Sequence, residues 1–352
     1  MNTFGRILRL SSFGESHGAA VGGMIDGFPA GVPIDMDLLQ TDLRNRRPSQ
    51  KVGSGRQESD RIEILSGVHQ GKSTGTPIGF IIRNQDAHSA DYQALEQMFR
   101  PSHADDTYFR KYGIRDAQGG GRASARETVV RVVGGAFAKM LLYTQDVQVN
   151  AYTLSIGNIS IPDGSSISVA EAPSFASRCP HKATDLAIQK LLKETREQKD
   201  SVGGVVSCIV TGIPAGWGEP AYDKLSARLA YAMMGINAAR GFEIGCGFEA
   251  SRMKGSLHND RWRSDGTTEE NLCGGVRGGI STGEPLYFRV AFKPIPSIAQ
   301  EQDLLGEDGK LHRMEISGRH DVCCVPRAVS VVEAMTALCV ADFMLLARCS
   351  KR

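Results

Sequence analysis

Gln118-Gly-Gly-Gly-Arg-Ala-Ser-Ala-Arg-Glu127 runs directly into Thr128-Val-Val-Arg-Val-Val-Gly-Gly-Ala-Phe-Ala-Lys-Met-Leu-Leu142, so a glycine loop leads into an apolar helix. Ser124 followed three residues later by Glu127 is a capping box, which predicts a helix that begins at Ser124 and ends near Tyr143. One face of this helix is apolar at helical spacing and is predicted to be core, with Val129, Val132, Val133, Ala136, Phe137, Met140 and Leu141.

The glycine loop has the features of an anion-binding site. Its backbone N–H groups would lie at the positive end of the helix, and Arg122 and Arg126 flank it. The alternative is a flexible turn before a buried helix, because glycine-rich turns are common. The loop carries neither the Lys-Ser/Thr of a P-loop nor a Gly-x-Gly-x-x-Gly fingerprint, so it matches neither standard nucleotide motif.

The composition limits the class of protein. A net charge of +2 over 352 residues argues against a nucleic-acid-binding protein. The eight cysteines include no Cys-x-x-Cys pair and no Cys/His cluster at zinc spacing, so we expect reduced thiols and no metal. The start lacks a signal-peptide apolar region, and no run approaches about 18 consecutive apolar residues. We therefore expect a soluble, cytoplasmic protein without membrane contact.

Two segments repeat one order of elements, which predicts an internal duplication with a pseudo-twofold. Gly27-Phe-Pro-Ala-Gly31 and Gly212-Ile-Pro-Ala-Gly216 each follow a predicted strand and precede a predicted helix, Met36–Asn45 in the first copy and Tyr222–Ile236 in the second. No low-complexity linker separates the halves, so we expect one domain over residues 1–352. Mobile loops are expected near 46–61 and 300–313, and a helix near Tyr92–Met98.

Histidines and arginines in loops are candidate functional groups. His17, His103 and His320 are each isolated, and a lone histidine is more often a hydrogen-bonded surface residue than a catalyst. A set of loop arginines favours a ligand with more than one anionic group, because the guanidinium fork matches carboxylate and phosphate. Solvated surface charge is the alternative for any single one of Arg46, Arg47, Arg122, Arg126, Arg319 and Arg327.

Seven motifs follow one another from residue 13 to about residue 335. They are Phe13-Gly-Glu-Ser-His-Gly18, Arg46-Arg-Pro48, Arg100-Pro-Ser-His-Ala-Asp105, Gly119-Gly-Gly-Arg-Ala-Ser-Ala-Arg-Glu-Thr128, Gly241-Phe-Glu-Ile-Gly245, Gly278-Gly-Ile-Ser-Thr-Gly283, and Arg319-His-Asp-Val-Cys323 with Val325-Pro-Arg-Ala-Val329. In type and order they resemble the chorismate synthase family over nearly the whole chain. The resemblance implies an α+β fold, a single-domain β-α-β sandwich with helices layered between two antiparallel sheets, assembled as a homotetramer.

The resemblance also implies a reaction and its cofactor. Members of the family catalyse the anti 1,4-elimination of phosphate from 5-enolpyruvylshikimate 3-phosphate, which gives chorismate in the shikimate pathway. They require reduced FMN, bound non-covalently, although the reaction has no net redox change. The flavin can be reduced with NADPH by the protein itself or by a separate flavin reductase, and the sequence leaves both open.

Residue roles carry over by similarity. His17 is expected to protonate the leaving phosphate, His103 to protonate or polarise the reduced flavin, and Asp321 to accept a proton near the flavin N5. Substrate anions are expected at Arg46, Arg47, Lys51, Arg122 and Arg319. Flavin contacts are expected at Arg122, Ala123, Ser124, Asn237, Ala238, Gly278, Lys293, Pro294, Ile295, Pro296, Ser297 and Arg319. Ala123 stands where the family often has serine, so its contact is expected through the backbone.

Two other functions compete with this prediction. One is a flavin-binding or organophosphate-binding protein without turnover, which the presence of His17, His103, Arg319 and Asp321 argues against. The other is an NAD(P)H-dependent flavin reductase, for which the chain lacks a dinucleotide fingerprint.

Overall fold

The fold contains short and long strands and helices that alternate along both halves of the chain. The computed structural model describes residues 2–47, 52–53, 60–84, 96–117, 120–316 and 321–350. The first half contains β1 (Thr3–Phe4), β2 (Arg9–Phe13), β3 (Ala20–Asp26), α1 (Met36–Asn45), β4 (Ile62–Ile64), β5 (Val68–His69), β6 (Lys72–Ser73), β7 (Ile78–Arg83), β8 (Met98–Phe99), α2 (Asp105–Tyr112) and α3 (Thr128–Tyr143). The second half contains β9 (Gln148–Ile156), β10 (Ile159–Ser160), α4 (Lys182–Glu197), β11 (Gly204–Thr211), α5 (Leu225–Met234), β12 (Ala239–Ile244), α6 (Gly255–His258), β13 (Val276–Arg277), β14 (Ile280–Ser281), β15 (Leu286–Phe292), β16 (Glu301–Gly306), β17 (Leu311–Glu315) and α7 (Val325–Ala347).

The two large sheets have the same strand order. One is β1-β2-β3-β7-β4 and the other is β10-β9-β11-β15-β12. Neighbouring strands in both sheets pair antiparallel. The four strands β2, β3, β7 and β4 therefore correspond to β9, β11, β15 and β12, and the small hairpin β5–β6 corresponds to β13–β14. The repeated order agrees with the predicted duplication.

The repeated Pro-Ala-Gly turns are closed by the same hydrogen bonds. In the first copy the Ser73 hydroxyl donates to the carbonyl of Pro29 at 2.6 Å and accepts from the Val32 N–H at 3.0 Å. In the second copy the Ser281 hydroxyl donates to the carbonyl of Pro214 at 2.6 Å and accepts from the N–H of Trp217 at 2.9 Å. The two halves thus repeat in side-chain detail as well as in topology.

Helices α3 and α7 form the centre of the layer between the sheets. A Cβ built on Gly135 of α3 would lie 2.3 Å from the Cβ of Ala334 in α7, so the helices cross at backbone contact. Within the described residues α7 alone is long and apolar enough to cross a membrane, but most of it is buried in the protein. The predicted α+β fold with helices between antiparallel sheets is confirmed.

The start of α3 differs from the prediction. Ser124 does cap the segment, since its hydroxyl accepts from the Arg126 N–H at 3.3 Å. However, residues Ala125–Glu127 form a tight 3₁₀ turn, and the α-helix begins at Thr128. Glu127 does not close the capping box, because it pairs with Arg131 one turn later at 2.8 Å.

Two further predictions concern segments near the edge of the described residues. Residues 92–95 of the predicted helix near Tyr92–Met98 lie outside the described residues, and Met98 belongs to strand β8. The segment 300–313 forms most of the β16–β17 hairpin, which adds β8 as a third strand. Mobility of that hairpin and of the 46–61 segment stays a prediction.

A buried charge cluster fixes the end of α1. Lys139 of α3 donates to Asp42 of α1 at 2.8 Å and forms an ion pair with Glu333 of α7. Burial alone would lower the pKa of Lys139, but the two carboxylates raise it, so the ammonium stays charged. Arg178 adds a bond from its guanidinium to the carbonyl of Asn45 at 2.9 Å. The cluster and this bond therefore fix the chain just before Arg46 and Arg47, the two residues that follow Asn45.

Candidate active site

Loops from both halves enclose a cleft of about 890 Å³. The first half contributes the turn between β2 and β3, the end of α1, the segment between β8 and α2, and the glycine loop before α3. The second half contributes the segment between α5 and β12, the segment after β15, and the start of α7 with the residues before it. The volume lies within the range of about 300–1,000 Å³ that small-molecule sites occupy.

Most of the residues expected from the sequence lie together in this cleft. Those that line it are His17, Arg46, His103, Arg122, Ala123, Ser124, Asn237, Ala238, Lys293, Ile295, Pro296, Ser297 and Asp321. Pro294 lies between lining residues but does not line the cleft itself. Gly278 lies in the turn of the β13–β14 hairpin, outside the lining. Lys51 and Arg319 lie outside the described residues.

The cleft carries an excess of positive charge. Its described lining includes seven arginines and one lysine but only four carboxylates. Three of the arginines were not predicted from the sequence as site residues, namely Arg100, Arg115 and Arg240. A cleft of this charge suits a small molecule with several anionic groups.

Asp60 gathers the arginines near the end of α1. Its side chain is fully buried, and it accepts from Arg126 at 2.5 Å. Its other oxygen lies 3.6 Å from Arg46 and 3.9 Å from Arg47. Sequence reasoning missed Asp60, because it lies in a polar segment predicted to be a loop and its partners are distant along the chain.

Arg46 and Arg47 differ in exposure. Arg46 is buried and donates to the Thr128 hydroxyl at 3.1 Å and to the Ala125 carbonyl at 3.0 Å. Arg47 keeps 34% of its side chain exposed. The geometry therefore assigns Arg46 mainly to the support of the glycine loop. Arg47 is the more exposed of the two, but it is not among the residues that line the cleft.

The glycine loop adopts a conformation that side chains disfavour. Gly120 and Gly121 have φ values of 88° and 51°. Arg122 then turns back to donate to the Ser12 carbonyl at 2.9 Å, while its Nη1 is buried without a hydrogen-bond partner in the described part of the chain. Asn237 donates to the Ala123 carbonyl at 2.9 Å. Its Oδ1 is also buried and has no hydrogen-bond partner among the described residues. These two atoms are a donor and an acceptor in the cleft that a ligand can satisfy.

His103 is held as a neutral imidazole. Its Nδ1 lies 3.1 Å from the Pro101 carbonyl, which can only accept, so this nitrogen carries the proton. Nε2 then accepts from the Ser297 hydroxyl at 2.8 Å. Burial, followed by the nearby charge of Arg100, lowers the pKa of His103 to about 4. At neutral pH the free protein therefore does not present His103 as a charged acid.

The neighbours of His103 are fixed by ion pairs and backbone contacts. Arg100 makes a bidentate pair with Asp105 at 2.8 and 2.9 Å. Burial alone would raise the pKa of Asp105, but these bonds outweigh burial and lower it. Lys293 donates to the Ser102 carbonyl at 2.8 Å, which ties the segment after β15 to the loop that carries His103.

His17 and Asp321 approach the cleft from opposite halves of the chain. The ring of His17 lies 3.1 Å from the Ser16 hydroxyl, and the Ser16 N–H donates to the Gly121 carbonyl at 3.4 Å. Asp321 pairs with Arg327 of α7 at 3.0 Å. The turn that carries His17 therefore touches the glycine loop directly.

The fold and the cleft together define a class of protein, an enzyme that acts on a small molecule with several anionic groups. Comparison with known families is more specific, since residues 8–345 match the model of the family described as chorismate synthase. The chain belongs to the chorismate synthase family, whose members are carbon–oxygen lyases that act on phosphates.

Full-length relatives support this membership. The chain is 49% identical to the chorismate synthase of Christiangramia forsetii, over 99% of both chains. It is 50% identical to that of Porphyromonas gingivalis, over 99% of this chain and 96% of the relative. A crystal structure of chorismate synthase superposes with a TM-score of 0.78 at 31% identity, covering 97% of this chain and 93% of the other.

Proposed function

We propose that the chain converts 5-enolpyruvylshikimate 3-phosphate to chorismate, by anti 1,4-elimination of phosphate, in the cleft described above. The observation that carries the proposal is the meeting of His17, His103 and an excess of arginines in one cleft. The substrate bears two carboxylates and a phosphate, and fixed positive charge both binds these groups and stabilises the departing phosphate.

Reduced FMN is proposed to bind in the same cleft. The unpartnered Arg122 Nη1 and Asn237 Oδ1 offer a donor and an acceptor, and the backbone of residues 120–124 can approach a ligand without side-chain obstruction at Gly120 and Gly121. Ala123 can contribute only through its backbone. Further contacts are proposed at Ser124, Ala238, Gly278, Arg319 and the segment Lys293-Pro-Ile-Pro-Ser297. When bound, the reduced flavin supplies electron density that assists loss of phosphate.

Arginines and a lysine near the end of α1 are proposed to hold the substrate anions. Arg47 is more exposed than the buried Arg46 but lies outside the cleft lining, whereas Arg46 and Arg122 line the cleft. Lys51 and Arg319 are proposed as further partners by similarity. Bidentate pairing with carboxylate or phosphate would fix the orientation of the ring before elimination.

His17 is proposed to donate a proton to the leaving phosphate, and Asp321 to accept a proton near the flavin N5. An ordinary imidazole pKa near 6.5 makes histidine suitable as an acid close to neutral pH. His103, neutral in the free protein, is proposed to polarise the flavin through hydrogen bonds. An anionic group bound beside it would raise its pKa and allow it to take up a proton.

Assembly and location follow from the family by similarity. We propose one domain over residues 1–352, a homotetramer and a cytoplasmic location. Two sources of reduced flavin stay open, NADPH-dependent reduction by the chain itself and supply by a separate flavin reductase. Anaerobic incubation with NADPH and oxidised FMN distinguishes them, because bleaching of the flavin in the purified protein alone supports self-reduction.

The test of the proposed site is the His17→Ala variant in an anaerobic assay with photoreduced FMN and enolpyruvylshikimate phosphate. We expect turnover to fall by roughly 10²-fold or more while reduced-flavin affinity is retained, because only the proton donor is removed. His69→Ala is the matched control, since His69 is exposed and does not line the cleft. Equal rates for wild type and His17→Ala would refute the acid role.

A further inference from the structure

The turn that carries His17 is short and has little packing of its own. It connects β2 to β3 and spans residues 14–19, which are mostly half-buried or exposed. Gly14 begins the turn at a φ of 98°, and a Cβ there would lie 2.4 Å from the Ala20 carbonyl oxygen. This fixes the entry to the turn. Further along the turn the Ser16 N–H donates to the Gly121 carbonyl at 3.4 Å and the Gly18 N–H to the Glu15 carbonyl at 3.3 Å. Both backbone bonds are long, so a side-chain contact to the same segment can add to its support.

Asn84 supplies that support from the end of β7. Its Nδ2 donates to the carbonyl of Glu15 at 3.0 Å and to the carbonyl of Gly18 at 2.7 Å. The two carbonyls lie on either side of His17, so one amide holds both ends of the catalytic segment. The Asn84 backbone is itself anchored, because its N–H donates to the Ala19 carbonyl at 3.1 Å and extends the β3–β7 ladder.

The other side of the Asn84 amide connects to the arginine cluster. Its Oδ1 accepts from Arg126 Nε at 2.9 Å, and Arg126 in turn donates to the buried Asp60. The bond from Arg126 fixes the orientation of the amide, since only the oxygen can accept from a guanidinium. The amide nitrogen is thereby directed toward the turn.

We propose that Asn84 is a positioning residue that holds the His17 imidazole in register with the substrate phosphate. The proposal rests on the proposed role of His17 as general acid. Asn84 does not act on the substrate itself, and it is not among the residues that line the cleft. Its contribution is to the geometry of proton donation, where displacement by about 1 Å can cost on the order of 10²-fold in rate.

Two substitutions separate the clamp from a general structural role. Asn84→Ala removes every side-chain bond. Asn84→Asp retains an oxygen that accepts from Arg126 but has no N–H to donate to the two carbonyls. If Asn84 only anchored Arg126, the aspartate would restore activity. The clamp predicts that both variants lower kcat, by about 10-fold or more, with little change in reduced-flavin affinity.

A double-variant cycle with His17→Ala tests whether the effect passes through His17. With the imidazole absent, loss of its clamp should cost no more than about 2-fold further. Asn271→Ala is the matched control, because the Asn271 amide also bridges to backbone, donating to the Pro285 carbonyl at 2.9 Å, but lies outside the cleft. We expect Asn271→Ala to change the rate by the same factor in the wild type and in the His17→Ala variant.

The results that would overturn the role of Asn84 differ from the results that would overturn the proposed function. Wild-type activity in Asn84→Asp, or rate losses that multiply in the double variant, would overturn the positioning role. Lack of turnover in the wild type would instead overturn the proposed function. Hydrogen exchange tests the clamp without turnover, since amides of residues 14–19 should exchange faster in Asn84→Ala than in Asn271→Ala, and equal exchange would contradict it.

Discussion

His103 is buried, and its pKa differs between the folded and the unfolded chain. In the folded chain its pKa is lowered from 6.5 to about 4 by burial and by the charge of Arg100. The unfolded chain takes up this proton at higher pH than the folded chain does. The free energy of unfolding should therefore fall as the pH falls from about 6.5 to about 4.

The His103→Gln variant tests this pH dependence. Glutamine has no group that titrates in this range, and its amide carries a donor and an acceptor, as the neutral imidazole does. We expect a shallower loss of stability between pH 6.5 and 4 than in the wild type, measured by urea unfolding at a series of pH values. Parallel curves for the two proteins would mean that His103 does not have the lowered pKa.

Residues of the site were predictable from the sequence where a local motif contains them. His17, Arg122 and Ser124 lie in such motifs, and the structure places all three at the cleft. Asp60 and Asn84 were missed because their importance comes from partners 66 and 42 positions away in the chain. A local pattern carries no signal for a bond that depends on how the two segments fold together.

The crossing of α3 and α7 brings the backbones of two helices into contact. Gly135 would place a Cβ 2.3 Å from the Ala334 Cβ and 2.4 Å from its Cα, so the backbone of α7 would have to move. A Cβ built on the adjacent Gly134 would instead meet the Leu10 side chain, 2.8 Å from its Cδ2. A methyl group at Gly134 would meet a side chain that can rotate, whereas one at Gly135 would meet backbone that has to move.

Alanine substitution at these two positions gives a matched comparison. Gly135→Ala should destabilise the protein by about 1–3 kcal/mol or more, because overpacking at a helix crossing moves backbone. Gly134→Ala should cost less, since Leu10 can rotate and alanine gains about 1 kcal/mol in helix propensity. Urea unfolding of both variants measures the difference. Equal stability would contradict the backbone contact.

The sequence predicts the presence of these helices more accurately than the residues at which they begin. The sequence predicts a helix over Met36–Asn45, and the structure has α1 with the same bounds. The Asp35 side chain caps it by accepting from the Leu38 N–H at 2.9 Å. The start of α3 was placed at Ser124 rather than Thr128. The bond from the Thr128 hydroxyl to the Ala125 carbonyl at 2.6 Å, and that from Arg46, favour the tight turn, and Arg46 is remote in sequence.

The whole molecule repeats one arrangement of strands, hairpin and central helix. If the halves are structurally equivalent, Ser73 and Ser281 should contribute alike, because both are buried and both bridge a proline carbonyl and an N–H. We expect Ser73→Ala and Ser281→Ala each to destabilise by about 1–3 kcal/mol, the cost of leaving buried polar groups unsatisfied. Thermal unfolding measures both, and a cost confined to one copy would argue against equivalence.

The architecture could be predicted from the sequence mainly through resemblance. Two short Pro-Ala-Gly matches indicated the duplication, but they did not indicate the strand order β10-β9-β11-β15-β12 or the packing of α3 on α7. Those depend on long-range pairing, such as Gly204 with Phe292. Periodicity in a strand identifies its buried face but not its neighbour.

The central claim is that this cleft eliminates phosphate from enolpyruvylshikimate phosphate without consuming its flavin. The most direct measurement follows phosphate, chorismate and reduced FMN together in one anaerobic reaction with the wild-type protein. We expect one phosphate per chorismate over many turnovers, with the reduced flavin undiminished at the end. Phosphate without chorismate, flavin oxidised in proportion to product, or no turnover at all would contradict it.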